Sequence, residues 1–509
     1  MFSRILSAAI VGIEVIPVSV EADVSDGLPM FTMVGCLTSQ VKEAEDRVRT
    51  SLKNIGTALP PKRITINMSP ADILKSGSRF DLPVALGILA AAGVLPAKAL
   101  EGVMAIGELS LSGNLSGITG VLPIAIRAKE IGVRTLLVPA ANLAEARNVE
   151  GLSALGFSSL PDVLSYLKSG IVPGDTAAAG NDPGLNRYDL DFSDIRGQEA
   201  VKRAALVAVS GFHNLLLIGP PGSGKTMLAR RIPSIMPELT REESLEISRI
   251  YSIAGLLTPE RPIMGVRPFR SPHHTMSPQA LAGGGAIPKP GELTLAHRGI
   301  LFLDEMPEFP RKVLEILRQP LEDREIIISR TAGTFRFPAN FLLLAAMNPC
   351  PCGYYPDMNR CVCQPGDISR YINRISQPLL DRIDLCVECP QVTYEELTGR
   401  EKQGRTSAEI RQEVQKAHEM QKRRFKGTEL HFNSEIPAGR INEYCRMDEK
   451  AEKLLENAFR KMSLSARGYH RIVKVARTIA DLDGAEQISS VHISEAICCR
   501  MIDKKYWGY

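Results

Sequence analysis

One stretch constrains this chain more than any other. Leu215–Ile218 is a run of four apolar residues, followed directly by Gly219-Pro220-Pro221-Gly222-Ser223-Gly224-Lys225-Thr226 and then by the helix-forming Met227–Arg231. This is a complete G-x-x-x-x-G-K-[ST] loop between a buried strand and a helix. Glycines let backbone N–H groups close around a phosphate, and the helix N-terminus adds favourable partial charge. In that frame Lys225 reaches the β- and γ-phosphates of a nucleotide, and the Thr226 hydroxyl ligates Mg²⁺. A Gly-rich turn with a chance lysine would lack the flanking strand and helix.

A second strand supplies the acids such a site needs. Gly299-Ile300-Leu301-Phe302-Leu303 is apolar and ends in Asp304-Glu305. Two carboxylates at a buried strand end are costly unless a cation or a polarised water occupies the site. Asp304 is expected to hold Mg²⁺ through water, and Glu305 to position and activate an attacking water. A third strand, Phe341–Met347, ends in Asn348. Alone, that Asn reads equally as a turn residue before Pro349. Its order after Asp304-Glu305 favours a group that orients the lytic water or senses the γ-phosphate.

The surrounding chain reads as several domains. At roughly 100–200 residues per domain, 509 residues make two to four. Residues 1–170 alternate short strands (Arg63–Met68, Gly102–Leu111, Thr135–Val138) with small-residue helices (Pro83–Ala92, Ile124–Ile131). Residues 171–191 are a Gly-, Pro- and Ala-rich linker with no apolar period. Residues 192–395 carry the strand–helix alternation of a parallel α/β core. Residues 396–509 are helical and charged, with Arg411–Lys426 and Glu449–Lys461 reading as solvated helices. Hydrophobic residues are 44% and charged residues 23%, which excludes disorder as the main state. Net charge is +4, so any nucleic-acid contact must come from a local basic surface. Aromatics are only 5%, which argues against base stacking as the main device. The longest apolar run, about Val84–Leu95, falls short of the ~20 residues of a membrane helix. The N-terminal apolar run is interrupted by Glu14 and then alternates like a strand, so it reads as fold rather than leader.

Four of the ten cysteines crowd into Cys350-Pro351-Cys352 and Cys361-Val362-Cys363. Two close pairs of thiolates suit a structural tetrahedral Zn²⁺ in a reducing cytosol. The C-x-C spacing is tighter than the common C-x₂-C, so reduced buried cysteines or a redox pair stay open as alternatives. Cys386 and Cys389 lie in an apolar strand and read as core.

These motifs, with Phe192–Glu199 (FSDIRGQE), Arg270–Gly285 (RSPHHTMSPQALAGGG), Asn348–Gly353 (NPCPCG) and Leu379–Asp384 (LLDRID), resemble the AAA+ ATPases. They are most similar to the magnesium-chelatase-like ComM/YifB family, and the likeness runs over nearly the whole chain. The resemblance implies an α/β P-loop core with a helical lid, working as a cytoplasmic homo-oligomeric ring of six copies with ATP and Mg²⁺. It places Ile195 and Gly197 on the adenine. It makes Arg382 an arginine finger reaching a neighbour's γ-phosphate, with an ion pair to Asp381 or Asp384 as the alternative. It makes Arg467 the second sensor, with Arg471 as rival. Glu325–Pro338 is expected to form a pore hairpin with Arg330 and Arg336 flanking its tip. Around Arg267 and Arg270 a second insert is expected to meet DNA phosphates. The alternative for both inserts is to stabilise the subunit interface.

Ile106–Pro139 resembles the proteolytic domain of Lon. Leu122 stands where that family has its Lys, and Phe80-Asp81-Leu82 near its Ser, so the resemblance implies an α+β domain without peptidase chemistry. The function implied is a DNA helicase promoting branch migration of incoming DNA in natural transformation. A magnesium-chelatase motor subunit and an ATP-gated protein remodeller are the alternatives.

Overall fold

The computed structural model describes residues 1–57, 59–172, 190–285, 287–330, 333–394, 396, 404–462, 464–500 and 505–507. The linker expected at 171–191 and the hairpin tip at Thr331-Ala332 lie largely outside them.

The N-terminal region is a seven-stranded mixed sheet. Its order is Met30–Val34, Arg63–Ser69, Glu14–Ser25, Phe2–Val11, Val103–Ala105, Thr135–Pro139 and Ser153–Phe157. In Glu14–Ser25 alternate residues Val18, Val20, Ala22 and Val24 are buried, as a strand with one covered face requires. Helix Asp81–Ala91 is buried on every side, which explains its apolar composition all round. The single strand expected over Gly102–Leu111 is broken. Ile106 still donates to Leu137, but Gly107 donates to Arg79 at 2.9 Å, and the chain leaves the sheet there.

The central region is a five-stranded parallel sheet, ordered Phe269–Arg270, Ile300–Leu303, Leu342–Met347, Leu215–Ile218 and Leu385–Glu388. Both its faces are covered, so its three inner strands are apolar throughout. Leu215 and Leu217 pack against helix Glu199–Gly211 and the C-terminal helices. Leu216 and Ile218 face Met306, Phe309 and Cys350.

Helices Ser407–Arg424, Glu449–Lys461, Ala466–Leu482 and Ser490–Cys498 pack on the first of these faces. Ser407–Arg424 is solvated on one side only, because Ile410, Val414, Ala417 and Gln421 form a buried stripe. Thr406 and Glu409 close a capping box at its start.

The N-terminal region docks on the core through helix Arg241–Ala254. Gly120 donates to the Ser252 carbonyl at 3.0 Å, and Arg241 donates to the Asn148 carbonyl at 2.8 Å. The Ser252 hydroxyl bonds the buried Glu145 carboxylate. Among the described residues no helix is long and apolar enough to cross a membrane.

Candidate active site

The glycine loop leaves the C-terminal end of strand Leu215–Ile218, where ligands of parallel sheets collect. Gly222 and Gly224 have φ of 75° and 81°, and nothing lies within 4 Å of where their side chains would be. Both therefore need glycine, and the space above them is open for phosphate. Gly219 is tight for another reason, since a Cβ there would sit 2.3 Å from the Cys389 carbonyl.

Helix Lys225–Arg231 begins at the loop's end. Lys225 Nζ donates to the carbonyls of Gly219 (2.7 Å) and Pro220 (2.9 Å) and to Asn348 Oδ1 (3.2 Å). Burial lowers its pKa, and the charges of Asp304 and Glu305 oppose that shift. Thr226 Oγ1 donates to Asp304 Oδ2 at 2.7 Å, so a hydroxyl and a carboxylate oxygen already converge where a hard cation would sit. Asp304 Oδ1 accepts from the Glu305 N–H at 3.0 Å.

Glu305 is exposed and adopts φ +51°, a left-handed conformation that costs a non-glycine residue about 1–3 kcal/mol. Nothing in the residue pattern predicted that conformation.

The upstream segment Ile195-Arg196-Gly197-Gln198, expected on the adenine, reaches the phosphate loop through Gln198. Gln198 Nε2 donates to the carbonyls of Ser223 (2.6 Å) and Pro390 (2.9 Å). Ile195 is buried in the core, and the space beside Gly197 is filled by the Glu396 carboxylate, 2.7 Å from an added Cβ. Pro221, on the other flank, meets Gly353, where a Cβ would sit 2.5 Å from its Cδ.

Gly353 belongs to the cysteine loop. The Sγ atoms of Cys350, Cys352, Cys361 and Cys363 all lie within 4.8 Å of one another. Cys350 is 3.4 Å from Cys352 and 3.8 Å from Cys361, and Cys352 is 3.6 Å from Cys361. Thiolates 2.3 Å from a tetrahedral Zn²⁺ stand about 3.8 Å apart, so the donor set fits that ion. Backbone N–H groups of Gly353 (3.2 Å) and Tyr355 (3.4 Å) point at Cys350 Sγ, as they do toward a charged thiolate. Cys386 and Cys389 are core residues, as expected.

Two expected site residues lie at the opposite edge of the sheet. Arg382 and Arg467 line one groove with Asn214, Asp381 and Asp384, at the N-terminal ends of the strands. Arg382 pairs with Glu322, and with neither Asp381 nor Asp384. It also donates to the Pro378 carbonyl at 2.7 Å, and its Nε is buried without a partner. Arg467 is exposed. Arg471 instead donates to the carbonyls of Leu380 (3.3 Å) and Ile383 (3.2 Å), tying its helix to the Arg382 loop.

The basic inserts divide. Glu325–Arg330 and Gly333–Pro338 form the expected antiparallel hairpin. Its Ile326, Ile328, Phe335 and Phe337 are buried, while Arg330 and Arg336 are exposed. Arg336 pairs with Glu325 at 2.7 Å. The expectation for the second insert is corrected. Arg267 is buried, held by Glu243 at 2.9 Å and the Pro237 carbonyl at 2.7 Å. Arg270 is bound at both nitrogens to Glu292, at 2.6 Å each. So engaged, both guanidiniums brace the fold, which leaves them less available to DNA.

Comparison with known proteins agrees with this geometry. Residues 191–397 match the family described as magnesium chelatase, subunit ChlI. Residues 20–142 match subunit ChlI of Mg-chelatase, and residues 404–500 match its C-terminal part. The chain is 45% identical over 500 residues to competence protein ComM of Haemophilus influenzae, covering 97% of this chain and 96% of that one. It is 41% identical over 505 residues to the YifB protein of Escherichia coli, covering 99% and 97%. The magnesium-chelatase 38 kDa subunit of Rhodobacter capsulatus is 26% identical over 174 residues, 31% of this chain and 50% of that one.

Proposed function

Because this chain belongs to the ComM/YifB family of magnesium-chelatase-like AAA+ ATPases, we propose that it is an ATP-driven motor on DNA. It works as a cytoplasmic homo-oligomeric ring of six copies. Its task is that of a helicase promoting branch migration as incoming DNA recombines in natural transformation. The observation that carries the ATPase part is the convergence of Lys225, Asn348, Thr226 and Asp304 on one open glycine loop. The likeness to a competence protein over nearly its full length supports the DNA part.

The steps follow from the residues. The loop amides and Lys225 bind the phosphates, the lysine exchanging two backbone carbonyls for phosphate oxygens. Ile195 and Gly197 lie on the adenine side, with Gln198 bracing the loop from there. Mg²⁺ held by Thr226 and Asp304 would neutralise phosphate charge as the bond breaks. Glu305 takes the proton of the attacking water, and Asn348 orients that water. Arg382 and Arg467, at the far edge of the sheet, serve a neighbouring copy's nucleotide. Exchanging Glu322 for phosphate on Arg382 gives the interface two states. Arg330 and Arg336 on the hairpin meet DNA phosphates as the interface moves. Zn²⁺ in the four-cysteine loop would fix the segment that backs the phosphate loop.

Purified protein incubated with four-way DNA junctions and ATP tests this reading. Junction resolution that needs ATP, together with hydrolysis stimulated by DNA, is expected. Hydrolysis indifferent to DNA would defeat it and return the chelatase-motor and protein-remodeller alternatives.

A further inference from the structure

The N-terminal region holds a cation without a counter-charge. Arg79 follows the turn Ser76-Gly77-Ser78 and precedes the buried helix Asp81–Ala91. Its Nη1 is buried and, among the described residues, has no hydrogen-bond partner. The nearby acids are already engaged. Asp81 accepts from Arg47 at 2.7 and 2.9 Å, Glu108 from the Ser78 hydroxyl, and Glu145 from the Leu122 N–H at 2.8 Å. Burial pushes the Arg79 guanidinium down to about 10, and no neighbouring charge pulls it back. Leaving an ionised group unpaired in such a place is costly, and folds retain the cost where a ligand offsets it.

The surroundings suit an oxyanion. Gly77 (φ 84°) and Gly120 (φ 79°) both lie close to the guanidinium. A Cβ at Gly77 would lie 3.8 Å from Arg79 Nε, and one at Gly120 3.8 Å from Nη1. Among the described residues the N–H groups of Ser76 and Gly77 donate to no protein atom. A guanidinium fork beside free turn amides is an anion cradle.

The neighbourhood narrows the anion. Ile10 closes on Gly120, and the same Ile10 shares a small cleft with Ser76, Ile287 and Phe335 of the arginine-bearing hairpin. Gly12, two residues on, abuts Phe335 at 3.3 Å from an added Cβ. The cradle therefore neighbours the hairpin that carries Arg330 and Arg336. We propose that Arg79, with the Ser76-Gly77 amides, binds one backbone phosphate of the DNA that passes that hairpin. This rests on the DNA-motor reading above.

The test measures affinity of the full chain for a DNA junction across a salt series, with a non-hydrolysable ATP analogue present. Arg79→Leu should bind about tenfold more weakly, and its log-affinity slope against log salt should fall by about one. Its thermal midpoint should stay level or rise, since an unpaired buried charge has gone. Arg79→Lys should keep most of the binding. A Leu variant with wild-type affinity and slope overturns the assignment. So does one whose midpoint drops by several degrees, because Arg79 is then a structural ion. Inorganic phosphate that raises the midpoint of wild type without any change in junction binding by the Leu variant also overturns it, assigning the cradle to free phosphate. Wild-type protein that shows no salt-dependent DNA binding fails the motor reading itself, a separate outcome.

Discussion

Asn348 Oδ1 accepts a hydrogen bond from Lys225 Nζ at 3.2 Å, joining residues 123 positions apart. The contact links the phosphate loop to the strand that runs on into the four-cysteine segment. Nucleotide site and cysteine loop are therefore one mechanical unit.

Gly353→Ala should weaken nucleotide binding by about tenfold. The new methyl would overlap Pro221 of the phosphate loop, at a backbone angle of φ +86° that alanine resists. Titration with a fluorescent ATP analogue measures the change, and an unaltered affinity would show that the loop tolerates the shift.

Glu305→Gln should bind ATP normally and hydrolyse it at least about 100-fold more slowly, because the amide cannot accept the proton of water. Single-turnover hydrolysis beside equilibrium binding separates the two. Equal loss of both would place Glu305 in binding rather than chemistry.

Arg382→Ala and Lys225→Ala proteins should each be inactive alone, yet regain part of the ATPase rate when mixed. Arg382 lies at the sheet edge remote from its own loop, so a mixed ring pairs an intact loop with an intact arginine. Mixtures as inactive as their components would place both groups in one subunit's site.

Metal analysis of reduced, metal-replete protein should find about one zinc per chain, and Cys352→Ser should lose it. The serine variant should also bind ATP more weakly, through the Gly353–Pro221 contact. Protein without zinc would leave the four thiols as a reduced buried cluster.

Asp384 supplies a pH test. Burial alone would raise its pKa, but His213, then the charges of Arg471 and Lys474, hold it down at about 2. A carboxyl depressed on folding adds stability above its unfolded pKa and loses it as pH falls. Here that is about 2 kcal/mol, lost between about pH 4 and pH 2. Urea unfolding of wild type and Asp384→Asn should therefore differ at pH 6 and converge toward pH 2. A constant difference across that range would rule out the linkage.

Local chemistry explains what could be read in advance. The strand, glycine loop and helix at Leu215–Arg231, the acids at Asp304-Glu305 and the Glu325–Pro338 hairpin are specified by neighbours in sequence. Apolar runs, glycines and caps act over a few residues, and these elements appear as expected. The clustering of four thiols within fourteen residues was legible for the same reason.

Availability of a side chain is different, because it depends on partners far away in sequence. Arg267 looked like a DNA contact, but Glu243 claims it inside the fold. Arg382 was expected as an arginine finger, with Asp381 or Asp384 as its alternative partner, and within the chain it pairs with Glu322, sixty residues earlier. The strained Glu305 and the unpaired Arg79 carried no local signal, since only packing gives each its surroundings. Local sequence specifies which chemistry the chain carries and on which loop. Folding in three dimensions sets which charges are already neutralised and which remain free to act, because pairing a charge requires two residues to meet in space.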